Sequence, residues 1–112
     1  MEQYKYHKVL TIAGSDSGGA AGIQADIKTF SALGCYGMSV ITALTAQNSQ
    51  GAQGLMGIDP SFVYQQLESI FSDLKPDAIK IGMIFSSELA LTISNFLKNH
   101  TEIPIVFDPV MV

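Results

Sequence analysis

The chain has 112 residues, 47% of them hydrophobic and 14% charged, a balance that specifies one domain with a modest core rather than a disordered polymer. A formal net charge of −4 with no basic run argues against a nucleic-acid surface. The single cysteine, Cys35, excludes an internal disulfide and fits a reducing, cytoplasmic setting, the opening residues 1–8 are polar, and no apolar run reaches the ~18 residues of a membrane span.

Residues 9–13 (Val9, Leu10, Thr11, Ile12, Ala13) form a continuous apolar run and read as a first, buried strand. A glycine-rich turn follows and opens a helix with Ile23, Ile27, Phe30 and Leu33 on one stripe, which Gly34 is placed to stop. Residues 38–45 are rich in β-branched side chains and predict a second strand, with residues 47–51 as a polar segment at its C-terminal end. Residues 51–58, with three glycines, read either as a bent connection or as a short strand. Asp59 caps a second helix with Pro60 at its first position and Val63, Leu67, Ile70, Phe71 and Leu74 on its buried face. Residues 75–77 end it, and residues 78–82 are a third strand. Ser86 or Ser87 caps a third helix whose stripe is Leu89, Ile93, Phe96 and Leu97. Residues 103–107 predict a fourth strand, buried on both faces. Alternation of strand and helix implies a parallel central sheet with right-handed crossovers, and ligands bind beyond the carboxyl ends of such strands. Gly14, Ser15 and Asp16, then Ala46, Gln47 and Asn48, then Gly82 and Met83, then Asp108 and Pro109, all fall at that edge.

The turn itself is residues 14–26, Gly-Ser-Asp-Ser-Gly-Gly-Ala-Ala-Gly-Ile-Gln-Ala-Asp. It lacks the lysine of a Walker loop and the G-x-G-x-x-G spacing of a dinucleotide loop. Residues 13–19, 21–26 and 28–30, with later landmarks at residues 39–44, 46–48, 80–83 and 108–111, resemble the hydroxymethylpyrimidine and hydroxymethylpyrimidine-phosphate kinases of thiamine biosynthesis, in the ribokinase-like superfamily. Ala20 departs from the pattern, where the family usually has another glycine. The resemblance covers the N-terminal part of a family member. It implies an α/β ribokinase-like fold with helices on both faces of the sheet, lacking its C-terminal part, with residues 1–112 as the substrate-recognising portion of a single kinase domain.

The resemblance further implies ATP-dependent phosphorylation of 4-amino-5-hydroxymethyl-2-methylpyrimidine and its monophosphate, with ATP and Mg²⁺ as cofactors and a homodimer at full length. Gln47, whose carboxamide both donates and accepts, is the residue implied to read the aminopyrimidine edge. Asp16 and Asp26 are candidates to hold the hydroxymethyl group, or they simply cap the helix they flank. Met83 is a candidate to pack on a flat ring, with Gly14, Ala21 and Val110 in close contact. Asp108 is a candidate for magnesium-bound phosphate. Lys80 reads as structural, and His7, His100 and Cys35 as uninvolved. No catalytic residue is assigned in this chain; by resemblance the anion hole and catalytic group lie beyond Val112. A pyridoxal kinase of the same superfamily and a non-catalytic pyrimidine-binding module are the alternatives.

Overall fold

The computed structural model describes residues 6–108, running β1 (Lys8–Asp16), α1 (Gly22–Ala32), β2 (Tyr36–Asn48), β3 (Gly51–Gly57), α2 (Pro60–Asp73), β4 (Ala78–Ile81), α3 (Ser87–Leu97) and β5 (Ile105–Phe107). The strands form one sheet in the order β3-β2-β1-β4-β5. All neighbours are parallel except β2 and β3, which form an antiparallel hairpin at one edge. The chain steps from β1 to β2 through α1, then recrosses to β4 on the other side of β1. Right-handed crossovers then set α1 on one face and α2 and α3 on the other.

Register fixes which residues share a face. Leu10 is level with Met38 and Ile79, and Ile12 with Val40 and Ile81. These six pack against Val63 and Leu67 of α2 and Leu89, Ile93 and Leu97 of α3, forming the buried core. Residues one step along, such as Thr11 and Lys80, are level with each other and face α1 instead. Close packing of α1 is possible because Gly37 has no side chain: a Cβ there would meet the Phe30 ring at 3.3 Å.

Helix boundaries follow local chemistry. The Asp59 side chain accepts the Ser61 N–H ahead of Pro60, and Ser86 rather than Ser87 caps α3 by accepting from the Leu89 N–H. Gly34, at φ +77°, follows α1 in the left-handed region.

Three sequence expectations change, and the open alternative at residues 51–58 is decided in favour of a strand. Gln47 and Asn48 belong to β2, whose last turn of pairing is made with β3 (Asn48 opposite Gly51). Residues 51–57 resolve as an edge strand, fully exposed, so no alternation of apolar residues marks them in the sequence. Leu33 is 73% exposed, because it lies in the turn that leaves α1. β5 is exposed along its length, since it pairs only with β4 and no described element covers it.

Candidate functional site

A cavity of about 320 Å³ opens at the C-terminal ends of β1, β2 and β4. This is where the strand order reverses about β1, the usual ligand crevice of such sheets. Gly14, Asp16, Ala21, Asp26, Gln47, Met83 and Asp108 all line it, so residues as far apart in sequence as 14 and 108 converge on one space. Val110 lies outside the described residues. A larger groove of about 780 Å³ between α3 and β5 is lined largely by Ile81, Ile84, Phe85, Ile93, Leu97 and Phe107, and brings no cluster of ionisable groups together.

The loop between β1 and α1 is shaped by its own side chains. Asp16, 4% exposed, accepts the Gly18 N–H at 2.8 Å with Oδ1, and those of Ala20 (3.0 Å) and Ala21 (2.8 Å) with Oδ2. These amides, Gly18 foremost, hold its carboxyl below the ordinary value of 3.8, against the opposing effect of desolvation. Asp16 therefore holds the two amides just ahead of α1, Ala20 and Ala21, where Ala21 provides no side-chain cap. Gln24 reaches back to the same loop, accepting from the Asp16 N–H and donating to Ser15 Oγ. Gly22 closes the turn at φ +62°, and a Cβ there would run into the Gly14 carbonyl oxygen. Only glycine satisfies both conditions.

Gln47 is held through its main chain. The Ser17 hydroxyl donates to the Gln47 carbonyl oxygen at 2.6 Å and accepts from the Gln47 N–H at 2.7 Å. This clasp sits where the β2–β3 ladder shifts register, between Ala46 and Gln47. Thr45 Oγ1 donates to the Ser15 carbonyl and lies 3.3 Å from Gln47 Oε1. The half-buried Gln47 carboxamide thus stands at the cavity with its backbone fixed on both sides. Across the cavity, Thr42 Oγ1 donates to the Met83 carbonyl, and the Met83 sulfur lies over Gly14.

Asp26 and Lys80 form the floor on the α1 side. Asp26 Oδ1 accepts from Lys80 Nζ at 2.6 Å and Oδ2 from Thr11 Oγ1 at 2.6 Å. Asp108 is 3.8 Å from the same ammonium, with a side chain 71% exposed. Lys80, structural by its place inside a strand, does pair with Asp26, and it also lines the cavity. Its signal was a cation in a four-residue strand between two buried isoleucines, on the face opposite theirs. Ser17, Gln24 and Thr45 carried no such signal.

The residues read as uninvolved lie away from the cavity. Among the described residues no group of three or more His, Cys, Asp or Glu side chains is arranged to hold a metal. His100 packs against Phe71 and Phe96 on the α2–α3 side, and His7 lies 3.9 Å from Asp77 on the surface. Half-buried Cys35 sits between α1 and β2, at the other end of β2 from Gln47.

The sequence profile of the family described as phosphomethylpyrimidine kinase matches residues 16–112. The hydroxymethylpyrimidine/phosphomethylpyrimidine kinase of Salmonella typhimurium is 52% identical over 102 residues, 91% of this chain and 38% of that protein. The crystal structure of phosphomethylpyrimidine kinase from Clostridium difficile 630 superposes with a TM-score of 0.89 at 52% identity, covering 95% of this chain and 46% of that one. The pyridoxal kinase from Staphylococcus aureus, in complex with AMP-PCP and pyridoxal, gives 0.85 at 36% identity, covering 97% and 41%. The chain thus spans less than half the length of each of these relatives. With its profile match, its identity to these kinases and its ribokinase-like sheet, the chain belongs to the phosphomethylpyrimidine kinase family.

Proposed function

We propose that this chain supplies the pyrimidine pocket of a kinase that phosphorylates 4-amino-5-hydroxymethyl-2-methylpyrimidine and its monophosphate in thiamine biosynthesis. The observation that carries the reading is Gln47: an amide with both donor and acceptor, clasped by Ser17 at the edge of the cavity. Such an amide matches the amino group and ring nitrogen of an aminopyrimidine, while Met83 and Gly14 offer an apolar wall and a flat approach to the ring. Asp26 is the carboxylate better placed for the hydroxymethyl group, because the oxygens of Asp16 already serve three amides.

ATP enters through the family, and Mg²⁺ with it. Asp108 is a single exposed carboxylate beside the cavity, which suits an ion held chiefly by phosphate and water. It does not make a protein cage. We assign the nucleotide-handling and catalytic groups to segments outside the described residues. A homodimer, a cytoplasmic location and the absence of a nucleic-acid partner complete the proposal; no helix among the described residues is long and apolar enough to cross a membrane.

Calorimetric titration of the chain with hydroxymethylpyrimidine and with pyridoxal tests the reading. The pyrimidine is expected to bind, and Gln47→Leu to weaken it by about 1–3 kcal/mol through unpaired ring groups. The likeness to the Staphylococcus aureus pyridoxal kinase favours a second reading, which a preference for pyridoxal would establish. For the chemistry, the chain alone should give no turnover with ATP and magnesium. A chimera carrying it in place of the matched segment of the Salmonella typhimurium relative should be active. An inactive, well-folded chimera that still binds the pyrimidine would favour the non-catalytic module.

A further inference from the structure

We infer that Lys80 lets one pocket take both a neutral hydroxymethylpyrimidine and its phosphate monoester, by offering its ammonium to the phosphate; this rests on the function proposed above. Among the described residues, three carboxylates line the cavity, those of Asp16, Asp26 and Asp108, against one cation, Lys80. A neutral alcohol enters such a site without electrostatic penalty. A phosphate monoester adds about −1.5 to −2 charges, which three carboxylates would repel.

The geometry leaves Lys80 free to answer that charge. An ammonium has three donors. Asp26 Oδ1 takes one at 2.6 Å, and Asp108 lies at 3.8 Å, beyond hydrogen-bonding distance. At least one donor therefore remains for a phosphate oxygen. The stem rises from β4, level with Thr11 of β1, so the ammonium is anchored at the cavity floor, whereas the exposed Asp108 side chain has room to turn away. A compact ammonium on a flexible stem accepts either arrangement, as a rigid guanidinium fork would not. The neighbouring cation Lys28 is engaged with the Gly19 carbonyl at 2.9 Å and does not line the cavity.

Ligand-observed NMR on the 112-residue chain, with four probes, tests this: hydroxymethylpyrimidine, its monophosphate, inorganic phosphate and magnesium–ATP. Lys80→Met should loosen Asp26 and so weaken both pyrimidines, but it should raise the monophosphate Kd about tenfold or more beyond the rise for the alcohol. Lys80→Arg keeps a cation but not the compact ammonium, and should recover only part of the loss. Equal losses for both pyrimidines would mean a structural role and overturn the inference, as would an unchanged monophosphate affinity. A larger loss for inorganic phosphate or the nucleotide than for the monoester would also overturn it, by moving Lys80 to another phosphate. If the unaltered chain binds neither pyrimidine, the proposed function falls and the inference with it; if the alcohol binds and the Lys80 effect is absent, only the inference falls. Should Lys80→Met not fold, salt decides on the unaltered chain. Raising sodium chloride from about 0.05 to about 0.5 M should weaken the monophosphate and spare the alcohol, and equal responses would overturn the assignment.

Discussion

The two faces of the sheet are made by alternate residues of the same strands, yet they are built on different chemistry. Towards α2 and α3, Leu10, Ile12, Met38, Val40, Ile79 and Ile81 pack into one apolar cluster with side chains of both helices. Towards α1, Thr11 and Lys80 of adjacent strands share one carboxylate, Asp26. The first face depends on volume and the second on pairing. A period of two thus lets neighbouring residues on a strand, such as Ile79 and Lys80, serve packing and the site separately.

The sharpest way to test that division is to damage the dry face. Leu67→Ala removes a fully buried side chain and should cost about 2–5 kcal/mol of stability in urea unfolding. Pyrimidine binding by the fraction that remains folded should be unchanged. A specific loss of affinity would mean that the two faces are not separable. On the polar face, Thr11→Val keeps the shape and removes the donor to Asp26. Because that acceptor is buried and would lose one of its two partners, the loss should be about 1–3 kcal/mol, with weaker pyrimidine binding. A neutral Thr11→Val would show that Lys80 alone positions the carboxylate.

Acid gives the smallest effect. Asp16, Asp59 and Glu102 all have carboxyls lowered in the folded chain, chiefly by the Gly18 amide, the Ser61 side chain and the Lys75 ammonium respectively. A lowered folded pKa gives stability that is present above the unfolded value and lost as pH falls through the folded one. Thermal unfolding should therefore be flat from about pH 7 to 5 and decline below about pH 4. Asp16→Asn should reduce that acid slope. A chain more stable at pH 3 than at pH 6 would contradict the loop geometry.

Much of this molecule can be read from its residues. Apolar runs at residues 9–13 and 78–82 marked central strands, and the spacings of Val63, Leu67 and of Leu89, Ile93 marked buried helix faces. β3 was ambiguous because Gly51, Gly54 and Gly57 have low strand propensity and the whole segment faces solvent, leaving no pattern. β5 misled because an apolar run reports suitability for burial and not the presence of a cover. In the site, the candidates were the residues with recognisable chemistry or a role implied by the family. The missing ones act across the fold: Ser17 on Gln47, 30 residues away, and Lys80 on Asp26, 54 residues away. No local spacing encodes such a pair.

The Ser17 clasp restricts what substitutions the position tolerates. One side-chain atom must give a proton to a carbonyl oxygen and take one from an amide, at 2.6 and 2.7 Å. Alanine, valine and glycine do neither, and a carboxylate only accepts. Asparagine can do both, but through different atoms on a longer arm. Serine and threonine alone fit, so this exposed loop position has an alphabet of two letters, as narrow as many buried ones. Surface exposure, the usual sign of mutational freedom, would mislead anyone choosing where to vary this chain.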